Sequence, residues 1–180
     1  MTVIAIDVET TGLGHVNYPP REDGVIQLGM AWRDGEQVFT WSEYCNPGLK
    51  YLANNRASYA LAVNKISEET IRRAKSAKII AKAFWKKVAD IESSSGEQTE
   101  FRAYNNAFDQ GFLNKNPWSV PDEKWGGCIM RQAALRLIGG QRLKLARAAQ
   151  MLEITWPGDS AHDAAIDAHA ALLVHEKLRQ

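Results

Sequence analysis

Apolar and polar residues alternate with period two through Thr2–Glu9, a run rich in β-branched side chains, which predicts a strand with Val3, Ala5, Asp7 and Glu9 on one face. Two more strands are predicted over Val25–Arg33 and Gln37–Tyr44, joined by Arg33-Asp34-Gly35-Glu36 with Asp34-Gly35 at the centre of a two-residue hairpin. The intervening segment from Gly14 to Gly24, which contains Pro19-Pro20, follows neither period and reads as a loop. Helical patterning begins only after the third strand. Ile66-Ser67-Glu68-Glu69 has the form of a helix start, with Ser67 as N-cap and acids in the first turn, where the helix dipole favours them. Ile80, Phe84, Val88 and Ile91 then recur at near-helical spacing while Lys78, Lys82, Lys86 and Lys87 point mostly elsewhere, which predicts an amphipathic helix ended by a loop at Ser93-Ser94-Ser95-Gly96. A short strand is predicted over Phe101–Tyr104. Helices are predicted over Phe108–Asn114, Ile129–Ile138, Arg142–Leu152 and Asp163–Leu178, the middle two split by Gly139-Gly140. A three-strand meander followed by alternating helices and strands implies a mixed sheet with helices on its faces, an α/β architecture.

Composition narrows the class. The 180 residues suit one domain spanning 1–180, and 45% hydrophobic with 24% charged residues is ordinary globular usage. The start Met1-Thr2-Val3-Ile4-Ala5-Ile6-Asp7 lacks a basic region and meets an acid after a few apolar residues, unlike a signal peptide, and no apolar run reaches membrane-spanning length. Cys45 and Cys128 lie far apart without metal-ligand spacing, which points to a reducing compartment, the cytoplasm. A net charge of +1 means that any hold on a nucleic acid is local. Positive charge does cluster between Cys128 and Gln150, at Arg131, Arg136, Arg142, Lys144 and Arg147 with no acid among them, a stretch that reads first as a solvated basic helix face.

The acids carry the chemistry. Asp7 and Glu9 project from one strand face roughly 7 Å apart along the chain, close enough to serve one metal pair. Two like charges buried this near each other cost more than neighbouring apolar contacts return, unless cations neutralise them. Asp109 follows the short strand at the opening of a helix. His162 and Asp167 are five apart, about 140° of helical rotation, so His162 belongs just before the final helix, on the loop from Gly158, with Asp167 one turn in. Asp163, four before Asp167, shares its face and is a rival ligand. Oxygen ligands without clustered cysteine favour magnesium or manganese over zinc.

Three motifs in order now carry a resemblance: Ile6-Asp7-Val8-Glu9-Thr10-Thr11-Gly12-Leu13, then Asn105 through Phe108-Asp109, then His162-x-Ala164-x-x-Asp167. The chain resembles the DnaQ-like exonucleases of the DEDD superfamily, in the branch with histidine in the third motif (DEDDh), as in exonuclease X, RNase T and polymerase proofreading subunits. Weaker likeness at Ile66-Ser67-Glu68-Glu69 and Leu143-Lys144-Leu145-Ala146 extends it over nearly the whole chain. The resemblance implies a ribonuclease H-like fold, a five-stranded mixed sheet with its first three strands antiparallel, flanked by helices. It implies that Asp7, Glu9, Asp109 and Asp167 bind two divalent cations, Mg2+ or Mn2+, and that His162 is the base, with Asp167 rather than Asp163 as ligand. Thr10, Thr11, Gly12 and Leu13 would line the pocket for the terminal nucleotide, with Phe108 beneath its sugar and Asn105 orienting the strand.

Such a set implies a 3′→5′ exonuclease releasing nucleoside monophosphates from single-stranded ends. The Thr-Thr-Gly-Leu form resembles DNA-directed members slightly more than RNA-directed ones. A proofreading subunit of a DNA polymerase, an RNase T-like exoribonuclease and a non-catalytic nucleic-acid-binding module are the alternatives. Among the tryptophans, Trp32, Trp41 and Trp85 fall on predicted elements and read as core; Trp118 and Trp125, in the loop-rich stretch 116–127, are candidates for base stacking.

Overall fold

The computed structural model describes residues 1–14, 23–53, 55–140, 142–158 and 162–180, leaving most of the predicted loop from Gly14 to Gly24 outside the described residues. Strands β1 (Thr2–Thr10), β2 (Val25–Asp34), β3 (Gln37–Tyr44) and β4 (Thr99–Ala103) form one sheet in the order β3-β2-β1-β4. The first three are antiparallel neighbours, and β4 runs parallel to β1. The helices are α1 (Leu49–Leu52), α2 (Asn55–Val63), α3 (Glu68–Arg73), α4 (Ala77–Ser95), α5 (Asn106–Leu113), α6 (Ile129–Ile138), α7 (Leu145–Met151) and α8 (Ala164–Lys177). None of the described helices is long and apolar enough to cross a membrane.

Alternation along β1 and β2 sorts the sheet into two faces. Ile4, Ile6, Val8, Leu28 and Met30 point into a core closed by Ile80, Phe84 and Val88 of α4 and by Phe112 and Leu113 of α5. On the other face Ala5 and Ala31 pack against Ala168, Ala171 and Leu172 of α8, with α6 and α7 outside it. The β1–β2 register sets Ala5 against Ala31, Asp7 against Gly29 and Glu9 against Gln27, so this second face is built of small and polar residues. Small side chains on both partners let α8 lie close to the sheet. Its far end is held by a fork of Arg33 on Glu176, with Nε to Oε1 at 2.7 Å and Nη2 to Oε2 at 2.6 Å.

Several expectations change. Among the described residues the sheet has four strands, not five. The place beside β4 is taken by a single parallel bridge, Phe101 to Trp125, with the Gly126 amide donating to the Phe101 carbonyl at 2.8 Å. Pro117 and Pro121 on one side and Gly126-Gly127 on the other keep this segment from extending into a ladder. The hairpin turn is shifted by one residue: Asp34 pairs with Gln37, so the two-residue loop is Gly35-Glu36, with Gly35 at φ 58°. Helix α4 runs through the serine run to Ser95 and stops at Gly96, a left-handed C-cap. Helix α7 starts at Leu145 rather than Arg142. Helices α1 and α2 were not foreseen. Ser67 caps α3 by accepting the Thr70 amide at 3.0 Å.

The stacking candidates are packing residues instead. Trp118 is buried against Phe84, its carbonyl taking the Trp85 indole N–H at 2.7 Å. Trp125 lies edge-on to Phe101 at 6.0 Å and donates to the Asn114 side-chain carbonyl at 2.8 Å. Trp32, Trp41 and Trp85 are partly buried against the first core.

Candidate active site

Asp7 and Glu9 lie near the C-terminal end of β1, on the face that α8 covers. Gly29, opposite Asp7, meets the helix start so closely that a Cβ there would collide with the carbonyl group of Ala164. Gln27, opposite Glu9, grips the same point: its Oε1 accepts the Ala164 amide at 3.3 Å and its Nε2 donates to Asp163 Oδ2 at 3.2 Å. Asp163 is committed to the helix end, its Oδ1 accepting the amides of Ala165 at 3.0 Å and Ile166 at 3.3 Å. These contacts seat Asp167, in the first turn of α8, over the acids of β1. His162 precedes the helix with φ 69°, in the left-handed region, and its amide donates to Asp167 Oδ2 at 3.2 Å. Glu9, His162 and Asp167 each offer a ligand atom within 4.8 Å of the others.

We expect Gly29→Ala to cost roughly 1–3 kcal/mol, because backbone rather than a flexible side chain must give way, and to displace the start of α8 from the sheet. Thermal melting checks the first outcome and turnover the second. An unchanged melting temperature with unchanged turnover would mean that this contact does not seat the helix.

Asp109 arrives from the other side. Beyond the last paired residue of β4 the chain turns at Tyr104, and the Asn106 side chain ties the turn by accepting the Ala103 amide at 2.6 Å and donating to the Gly126 carbonyl at 2.7 Å. Helix α5 then presents Asp109 so that Oδ1 accepts the Val8 amide at 3.1 Å. The ladder between β1 and β4 runs as far as Ile6 and Ala103, so this carboxylate serves a β1 amide beyond its last pair.

The electrostatics are those of crowded, unneutralised acid. Burial, then the charges of Asp109, Glu9, Asp167 and Asp163, push the Asp7 carboxyl well above its ordinary range. Burial, aided by Asp167 and Asp163, raises Glu9 to about 8. Asp109 is raised to about 8, chiefly by burial, against the lowering effect of backbone N–H donors. Asp167 is raised by burial, opposed by the His162 amide and by the His162 side chain. Four oxygen-donor side chains that repel one another in a desolvated site are what a divalent cation relieves, so the donor set fits magnesium or manganese.

The residues after Glu9 divide in role. The Thr10 hydroxyl donates to the Gly12 carbonyl at 2.6 Å. Thr11 is fully buried, its amide donating to the Gly24 carbonyl at 2.9 Å and its hydroxyl accepting the Gly24 amide at 2.9 Å, so neither group is left for a ligand. Asp23 sits where a Cβ on Gly12 would go and accepts the Gly14 amide at 2.9 Å. Leu13 stands 67% exposed beyond this knot. Phe108 is half-buried, 5.1 Å from the Phe112 ring, and Asn105 is half-buried at the start of α5 without capping it.

A family model for exonucleases, RNase T, matches residues 4–174. The chain belongs to this exonuclease family. A comparison with curated proteins finds no match. Among solved structures, cell-death related nuclease 4 superposes with a TM-score of 0.72 at 15% identity, over 99% of this chain and 63% of that one, so the chain spans 63% of its length. A 3′-exonuclease solved in recognition of a histone mRNA stem-loop gives 0.71 at 16%, covering 99% and 80%. The nuclease domain of 3′hExo, a DEDDh family member bound to rAMP, gives 0.65 at 16%, covering 99% and 90%. These likenesses show the fold. Within this exonuclease frame Gln27, Gly29 and Asn106 are the supporting residues that sequence reasoning did not single out. The available signal was a glutamine and a glycine in the otherwise apolar run from Val25 to Trp32, two apart and therefore on one face.

Proposed function

We propose that this exonuclease works in the 3′→5′ direction, releasing nucleoside monophosphates from the end of a single strand, with residues 1–180 acting as one catalytic domain. The observation that carries the reading is that Glu9, His162 and Asp167 offer ligand atoms within 4.8 Å of one another, while the charges of Asp109, Glu9 and Asp167 all bear on buried Asp7. The four acids would hold two Mg2+ or Mn2+ ions. Bound there, such ions supply an activated water and stabilise the departing 3′ oxygen. His162, exposed at the mouth and anchored to Asp167 through its own amide, takes the proton of the attacking water. Leu13 wedges against the terminal base and Gly12 brings backbone close to the nucleotide, while Thr11 and Asp23 brace that loop. Phe108 packs beneath the sugar and Asn105 orients the strand. The two free cysteines, Cys45 buried and Cys128 half-buried, suit a reducing compartment such as the cytoplasm.

Labelled DNA and RNA strands incubated with Mg2+, with and without chelator, test this: stepwise shortening from the 3′ end supports it, and an intact strand removes it. DNA is the first substrate expectation, on the Thr10-Thr11-Gly12-Leu13 form. RNA is the second, because the histone mRNA stem-loop and rAMP are what two structural neighbours were solved with. His162→Ala should slow turnover on the order of 100-fold or more while leaving the cation requirement unchanged. A large loss of metal affinity on calorimetry would make His162 a ligand instead.

A further inference from the structure

An acid cluster repels the polymer it cuts. With a net charge of +1 the chain has no global field to draw in a polyanion, so the strand must be held by cations placed beside the acids. Cations that fit stand at the end of β4. Arg131, Arg142 and Lys144 are exposed, and no ion pair engages them among the described residues, whereas Arg33, Arg72, Arg73, Lys86, Arg102 and Lys124 are each held by an acid.

Their position follows from Tyr104. Its carbonyl accepts the Met130 amide at 2.8 Å, which fixes the first turn of α6 and with it Arg131. Its hydroxyl donates to the Leu143 carbonyl at 2.8 Å. Leu143 is buried, so Arg142 and Lys144 on either side of it turn outward. Tyr104 is also the residue from which the chain passes through Asn105 into α5 and Asp109. Because β4 is parallel to β1, this is the end of the sheet at which β1 carries Asp7 and Glu9. Two segments eleven residues apart, the first turn of α6 and the stretch before α7, thus bring three cations without ion pairs among the described residues to Tyr104, at the end of the sheet where β1 carries the acids.

We propose that Arg131, Arg142 and Lys144 form a track for the strand upstream of its 3′ end, gripping internal phosphates by charge without reading bases. This rests on the exonuclease reading above and adds to it a site outside the catalytic cluster. Arginine forks match phosphate oxygens, and contact with the backbone alone leaves the enzyme free to advance along any sequence.

The test compares wild type with the triple variant R131Q/R142Q/K144Q, and with R131K/R142K, which keeps the charge. A fluorescein-labelled twelve-nucleotide strand and a dinucleotide serve as substrates in Mg2+, and anisotropy of the longer strand is followed against salt in chelator. The triple variant should lose roughly tenfold in kcat/KM on the longer strand, through KM, and its binding should show a log-log salt slope shallower by about 2, at about 0.7 per lost phosphate contact. The dinucleotide should be cut as by wild type, and the lysine variant should keep most of the grip. Equal losses on both substrates, or no loss with an unchanged slope, would overturn the track. If wild type cuts neither substrate, the exonuclease reading fails, and the salt slope alone decides whether the track binds a strand.

Discussion

Asp7→Asn should remove nearly all turnover and at the same time raise the melting temperature of the metal-free protein. The two effects have one cause. Asp7 sits among Asp109, Glu9 and Asp167, and burial with their repulsion pushes its carboxyl well above the ordinary range. Without cations each ionised carboxylate there opposes folding, and exchanging one for a neutral amide of the same shape relieves its neighbours as well. A gain of about 1–3 kcal/mol, or several degrees for a domain of this size, is the scale for removing one unpaired charge of this kind. Turnover should fall by a factor on the order of 10³ or more, because a cation held by fewer carboxylates loses several kcal/mol of its effect on the reaction. Melting in chelator and a 3′-end assay in Mg2+ on the same two proteins read both. A variant that melts lower and works poorly would mean that Asp7 is a structural acid. One that works normally would place the chemistry elsewhere.

The residues that could be read ahead of the structure are those whose role is local. Period two along Thr2–Glu9 put Val3, Ala5, Asp7 and Glu9 on one face, and the register confirms it by setting Asp7 and Glu9 against Gly29 and Gln27. Ser67 could be read as a cap because a cap needs only its own helix. Asp163 shared a helix face with Asp167 in the sequence, yet its carboxylate accepts amides of its own helix and takes Gln27 from a strand 136 residues away, a partner that no spacing rule names. That the described residues form four strands and not five had the same source: an implied ladder met a segment broken by Pro117, Pro121 and Gly126-Gly127 and left one bridge at Trp125. Trp118 and Trp125 looked free because loops are usually exposed, but this loop folds its tryptophans onto Phe84 and Phe101. Gly29 shows the limit most plainly. It matters for what it lacks, and only the approach of Ala164 reveals that.

The stabilisation that divalent cations give this protein should grow steeply with pH. Glu9 and Asp109 are raised to about 8, mainly by burial, and Asp7 is raised well above its ordinary range in the same direction, by burial first and then by its neighbours. A carboxyl whose folded pKa lies above its unfolded value stabilises the fold fully below the unfolded value, near pH 4, and that contribution is lost as pH rises through about 8. The chelated protein should therefore melt lower at pH 8.5 than at pH 5.5. His175 acts in the opposite sense: burial, with help from Arg102 and Arg179, pushes it from 6.5 down to about 4, so its contribution is lost as pH falls through that interval and offsets part of the difference at pH 5.5, equally with and without cations. Mg2+ or Mn2+ competes with protons for the same oxygens, so at pH 5.5 it finds neutral acids and at pH 8.5 ionised ones that it alone can neutralise. At a thousandfold excess over Kd the gain is about 4 kcal/mol, roughly 10 °C here, against little at the acid end. Melting with 10 mM Mg2+, about a thousandfold above a Kd of about 10 μM, or with chelator at both values decides it. A cation effect that is the same at both values, or that survives in Asp7→Asn at full size, would mean that the ions stabilise the fold from somewhere other than this cluster.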